Sequence, residues 1–193
     1  MLSEEEREFL RRVARDAASR ALGLRMESAR QPEIPAGSVL LLPAPVFVTW
    51  RRDGRLRGRS GSIEANHALA AAVEEHAVEA LLHDPRVPPA TPKELPRYTP
   101  EISVLFTFEE IFSSSEAVFS SSEASVSSLL PGTHGVVVEK GKRRGIVLPQ
   151  DATGLGWDGA RILSQACLRA GLPEDGWKAA SPPRLLRFTA EVF

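Results

Sequence analysis

Arg55, Arg57 and Arg59 recur at every second position of the stretch "RLRGRSGSI", interleaved with Gly58, Ser60 and Gly61. Guanidinium groups offer paired donors that match phosphate and carboxylate, and small residues leave backbone N–H groups open to an approaching anion. Anion binding is the chemistry this pattern points to. The alternative is a solvated arginine face, ion-paired with local Asp and Glu. Ser60 and Ser62 stand next to glycines but lack the strand, tight turn and helix that expose a nucleophilic serine.

Two other groups could carry chemistry. His76, Glu79 and His83 share a helical face, and Glu79 with His83 has the i,i+4 spacing of a metal-ligand pair. His76, however, recurs with Leu69, Val73 and Ala80, the setting of a buried histidine bonded to backbone. One cysteine and four scattered histidines do not make a local tetrahedral zinc site, so no metal is expected. Cys167 falls beside Ile162, Leu163 and Ala166 and reads as a small buried hydrophobe.

The elements that must position these residues are partly marked. Ser3 and Glu6 have capping-box spacing ahead of Phe9, Leu10, Val13, Ala17 and Leu22, which predicts a helix over residues 3–22 ending at Gly23. Residues 28 to 45 hold four prolines and read as a connection with a short edge strand at 39 to 42. Asp53-Gly54 suits a two-residue type I′ turn between "VFVTWRR" and "RLRGRSG". That turn pairs Arg52 with Arg55. Continued without interruption, the register sets Trp50 against Arg57 and Val48 against Arg59, with the three arginines on one face and Arg57 over the Trp50 ring.

Further along, Asn66 is a candidate cap for a helix ending at His83, because Asp84-Pro85 cannot continue it. "DPRVPPATPKELPRYTP" carries six prolines in seventeen residues and reads as a stiff crossing with a helical turn begun at Thr91. "EISVLFTF" alternates as a strand. Nine of the sixteen residues 113 to 128 are serine, which predicts a loose helix or surface insertion without chemistry. A second hairpin turns at Gly141-Lys142, a helix starts at Asp158 and closes at Gly171, and "LLRFTAEVF" is a final strand. Two or three helices with hairpin-linked strands predict an α+β fold with a mostly antiparallel sheet.

Composition narrows the partners. The chain has 193 residues, enough for one core or for a main domain with a smaller lobe. The formal charge of −1 and the single tyrosine argue against nucleic acid as a ligand. One cysteine excludes an internal disulfide and fits a reducing cytoplasm, the acidic start "MLSEEEREFL" is unlike a signal peptide, and no apolar run approaches a membrane span.

"LRGRSGSI" also resembles the Leu-Arg-Gly-Cys-Ile-Gly motif of the AMMECR family, called AmmeMemoRadiSam system protein A in prokaryotes. Further similar segments follow in order: "DPRVPPATPKELP", "EISVL", "HGVVVEKGKRRGIVLPQ", "GWD", "CLRAGLP" and "LRFTAEVF", together covering roughly residues 45 to 193. The resemblance implies one AMMECR-type α+β domain of unestablished activity, accompanied by Memo-like and radical SAM proteins. It carries the motif onto Leu56, Arg57, Gly58 and Gly61, and implies a cleft lined by Asp84, Arg86, Pro149 and Gln150. Arg59 stands where the family has cysteine and Ser60 where it has isoleucine, so a thiol mechanism is not expected.

Two functions follow as expectations. The first is a small anionic ligand held by Arg57 and Arg59 over Gly58, Ser60 and Gly61, without a cofactor. The second is a non-catalytic interaction or regulatory module.

Overall fold

Ser3 caps a helix, α1, over Glu4–Ala21: its hydroxyl accepts the Glu6 N–H while the Glu6 carboxylate accepts the Ser3 N–H. Three acidic residues in the first turn meet the positive end of the helix dipole. The structure is a computed structural model describing residues 1–24, 34–112, 126–153, 155–179 and 181–193. Most of the serine-rich stretch, residues 113 to 125, lies outside the described residues, as do residues 25 to 33.

The remaining elements are β1 (Val46–Arg52), β2 (Arg55–Ser62), α2 (Leu69–Leu82), β3 (Tyr98–Phe112), β4 (His134–Lys140), β5 (Arg143–Val147), α3 (Gly159–Arg169) and β6 (Arg184–Val192). The strands form one six-stranded sheet in the order β2-β1-β3-β6-β4-β5, so the fold is α+β. Both hairpins turn where expected, with Arg52 opposite Arg55 and Lys140 opposite Arg143. Three boundaries differ. Residues 39 to 42 are not an edge strand: Val39–Leu41 is a 3₁₀ turn whose Ser38 hydroxyl accepts the Leu40 N–H. α2 begins after Ala68 rather than Asn66, because the chain first makes a bridge between Pro43 and Ala68. β3 starts at Tyr98, three residues before "EISVLFTF", since Tyr98, Thr99 and Pro100 already pair with β1.

The chain divides into two compact units, Met1–Leu105 with Glu191–Phe193, and Phe106–Ala190. In the first, α2 packs on the face of β1 that carries Val46, Val48 and Trp50, and α1 packs against α2. Leu10, Val13, Leu69, Val73, Ala77, Ala80, Leu81, Ile102 and Val104 complete that core. Trp50 is fully buried, and its indole N–H donates to the Ala77 carbonyl at 2.8 Å, which fixes the hairpin under α2. The Arg7 guanidinium and the Leu2 N–H both bond the Glu191 carboxylate, tying α1 to the end of β6.

The second unit repeats the device of a hairpin under a helix. Val136, Val138 and Val147 pack against Ile162, Leu163, Ala166 and Cys167 of α3, whose Asp158 side chain accepts the Arg161 N–H. Trp157 packs on the same cluster, as its spacing from Ile162 predicts. Cys167 is fully buried, and that burial pushes its thiol above the ordinary value, consistent with a packing role. No described helix is long and apolar enough to cross a membrane.

Candidate functional site

Asp53 and Gly54 take positive φ values of 51° and 75°, the conformation of a type I′ turn. Two pairs beyond the turn, the ladder slips. Arg51 faces Leu56, but Trp50 faces Gly58, so Arg57 is the extra residue of a β-bulge. Every later pair is displaced by one from uninterrupted alternation: Thr49 faces Arg59, Val48 faces Ser60 and Phe47 faces Gly61. Side chains of a strand alternate between faces, so this slip separates residues that the simple register put together.

Gly58 and Ser60 consequently face α2, and Arg59 faces away from it with Thr49. Gly58 lies so close under the helix that a Cβ there would sit 1.9 Å from the Ala80 carbonyl oxygen. The expectation of three arginines on one face is therefore overturned. The expectation of Arg57 over Trp50 is overturned too. Arg57 lies with its guanidinium carbon 5.5 Å from the centre of the Tyr98 ring, and its Nε donates to the Tyr98 hydroxyl at 3.0 Å. Its Nη2 donates to the Pro88 carbonyl, so the side chain fastens β2 to the proline-rich crossing.

Asp84 is the centre of this junction. Its side chain is only 1% exposed, and its carboxylate accepts the Arg59 N–H at 2.8 Å, the Arg86 N–H at 3.0 Å and both Nε and Nη2 of Arg86. The Arg86 side-chain hydrogen bonds, backed by the two backbone N–H groups, outweigh the cost of burial and hold the Asp84 pKa at about 2. Asp84 is thus ionised at neutral pH. It organises the strand, and the "GRSGS" stretch is strand β2 rather than an open loop. α2 presents its C-terminal, electronegative end here, as the Ala80 carbonyl over Gly58 shows, so the dipole disfavours an anion on the helix side of Arg57.

On the opposite face, Arg59 is held at both its backbone and its side chain. Asp84 takes its backbone N–H, and its Nε donates at 2.9 Å to the hydroxyl of Thr49, which is completely buried. Gly61 lies beneath the Phe47 ring, 2.3 Å from where a Cβ would be, so it is there for close packing. On the helix face, the Ser60 hydroxyl and His76 Nδ1 are 3.1 Å apart. Burial lowers the His76 pKa, while Glu75 and Glu79 oppose the shift and His67 adds to it. His76 lines a cleft of about 180 Å³ with Ala44, Val46, Ser62, Glu64, Asn66, His67, Ala72 and Glu75.

The predicted residues thus fall into separate roles. Arg57, Gly58, Asp84 and Arg86 form the structural junction, Arg59 and Ser60 lie on opposite faces of β2, and Gly61 packs on Phe47. Pro149 and Gln150 belong to the second unit, in a 3₁₀ turn over Pro149–Asp151. His83 bonds Glu79 at 3.0 Å as their spacing allows, while His76 turns to Ser60 instead. Thr49, Tyr98 and the Pro88 carbonyl were not found by sequence reasoning. One signal was available: in Asp84-Pro85-Arg86 the carboxylate accepts the N–H two residues on, the geometry of an Asx turn.

The AMMECR1 family profile matches residues 11–193, nearly the whole chain. The chain belongs to the AMMECR1 family. Among AMMECR1-type relatives, Protein MK0488 of Methanopyrus kandleri is 37% identical, over 100% of this chain and 89% of its own length. A protein of Thermofilum pendens is 38% identical, over 100% of this chain and 91% of its own. The crystal structure of the uncharacterized protein PH0010 from Pyrococcus horikoshii superposes with a TM-score of 0.83 at 31% identity, covering 99% of this chain and 92% of that one.

Proposed function

We propose that this AMMECR1-family chain binds a small anionic ligand through Arg59, on the face of β2 turned away from α2. Arg57, Gly58, Asp84 and Arg86 build the strand that presents it, with Ser60 and Gly61 as its neighbours. The observation that carries this reading is the anchoring of Arg59 by Asp84 at the backbone and by Thr49 at Nε. A guanidinium fixed before binding loses less side-chain entropy when a ligand arrives. The family resemblance supports action beside Memo-like and radical SAM proteins in the cytoplasm.

Thermal-shift titration against a panel of phosphates and carboxylates tests the site. Arg59→Ala is expected to weaken the best ligand about tenfold to a hundredfold, the loss of one charged hydrogen bond worth about 1.5–3 kcal/mol. Arg57→Ala is expected to lower the melting temperature without changing which ligand is preferred. Equal affinity in the Arg59→Ala protein would sink the proposal.

A second reading, a non-catalytic interaction or regulatory module, draws on the apolar Val39, Leu41 and Leu42, exposed by 41%, 45% and 58% on one 3₁₀ turn. Mixing the chain with the purified Memo-like and radical SAM proteins separates the two. Complex formation lost on Leu41→Ser with Leu42→Ser, but kept in Arg59→Ala, favours the module.

A further inference from the structure

On the other face of β2, the observations carry a different chemistry. From the Ser60–His76 pair and the cleft beside it we infer that Ser60 is an acyl-accepting nucleophile, with His76 as its base and small activated esters as its substrate class. The Ser60 oxygen and His76 Nδ1 are 3.1 Å apart, within the range of a nucleophile and its general base. Both residues sit on regular elements, Ser60 on β2 opposite Val48 and His76 on α2, so their separation is set by the packing of helix on hairpin. Burial lowers the His76 pKa, so the imidazole is neutral at pH 7 and Nδ1 is free to accept a proton in the tautomer that carries hydrogen on Nε2.

Beside the His76 imidazole lies a cleft of about 180 Å³ whose lining mixes Ala44, Val46 and Ala72 with polar side chains such as Ser62 and Asn66, with room for an acyl group of a few heavy atoms. Of the charged groups around the imidazole, Glu75 and Glu79 favour the imidazolium that forms during reaction, and His67 opposes it. With an ester, the Ser60 oxygen bonds to the carbonyl carbon as its proton passes to His76 Nδ1. The bond from that carbon to the leaving oxygen breaks, and the leaving oxygen takes the proton from Nδ1. Water, deprotonated by His76, then attacks the acyl-serine, and the released Ser60 oxygen recovers its proton, giving carboxylic acid and alcohol.

The test uses the full chain and p-nitrophenyl acetate, followed by release of p-nitrophenol and by mass spectrometry of proteolytic peptides. One acetyl group on Ser60 is expected, formed with a rate that rises through an inflection below the ordinary histidine value. His76→Gln is expected to slow it at least a hundredfold. Ser60→Ala is expected to lose it while keeping the wild-type melting temperature. If that variant unfolds, Ser60→Cys preserves the test: its thiol is expected to react with iodoacetamide faster than the same cysteine in a His76→Gln background. Acetylation confined to lysines, or a Ser60 rate indifferent to His76→Gln, overturns the inference.

Discussion

Gly58→Ala is expected to lower the melting temperature of the protein by about 6–12 °C, which is about 3 kcal/mol at the conversion usual for a chain of this size. The added Cβ would meet the Ala80 carbonyl oxygen at 1.9 Å and its carbonyl carbon at 3.1 Å, with the Asp84 Cβ at 3.7 Å. All three neighbours are stiff. The carbonyl belongs to the last turn of α2, Ala80 is wholly buried, and the Asp84 side chain is held by four hydrogen bonds. Overpacking of this kind usually costs about 1–3 kcal/mol, and the upper end applies because backbone rather than a flexible side chain must yield.

A thermal melt together with amide hydrogen exchange checks the expectation. Exchange should accelerate in β1, β2 and α2, and the second unit should keep its protection. An unchanged melting temperature would show that α2 can lift away from the hairpin at no cost, and that the close contact does not hold it. Gly145→Ala supplies the matched case in the second unit, where a Cβ would lie 2.1 Å from the Ala166 carbonyl oxygen and 2.4 Å from the Ala170 nitrogen. In both units the glycine is what lets a helix settle on a hairpin. In the Leu-Arg-Gly motif, glycine therefore reports a packing distance, and arginine reports the fastening of the bulge that precedes it.

That distinction marks how far the sequence could be read. The Asp53-Gly54 turn, the Ser3–Glu6 box and the Asp158 cap were legible because each is decided by residues within four positions of one another. The bulge at Arg57 was not. It is stabilised by Tyr98 and Pro88, 41 and 31 residues away, and nothing in the local alternation of β2 marks the extra residue. Since one slipped residue reverses every side chain beyond it, this single irregularity changed the candidate site from one arginine face to two different faces. β3 shows the same limit. Val104 and Leu105 are both buried while Phe106 is 40% exposed, and Thr107 takes a left-handed φ of 51°, a local break that the alternation of "EISVLFTF" does not reveal.

Asp84→Asn is expected to destabilise the protein by about 2 kcal/mol at pH 7 and to flatten the acid limb of its stability curve. The Asp84 pKa falls from an ordinary 3.8 to about 2 on folding, so the unfolded chain binds its proton first as pH drops. A group with a depressed folded pKa contributes stability that is complete above its unfolded value and disappears as pH falls through the folded one. The window is therefore pH 4 down to pH 2. At about 1.4 kcal/mol for each tenfold change in proton affinity, the contribution comes to about 2 kcal/mol, an upper figure because Arg86 is 55% exposed and screened by water. The Arg59 N–H bonds Oδ2 and the Arg86 N–H bonds Oδ1, so asparagine, with one oxygen, can keep only one of these bonds and turns an amide donor toward the other N–H and the guanidinium. Denaturant unfolding measured from pH 2 to pH 7 distinguishes the two proteins: the wild-type curve should bend across the window and the variant's bend should shrink. If both curves bend equally, another carboxylate carries the acid limb. The same substitution loosens the backbone anchor of Arg59, so ligand affinity at that residue should fall even at pH 7, where Arg59 itself is unaltered. A stability loss without that affinity loss would place the anion away from β2, and would leave Asp84 as a fastening of the fold alone.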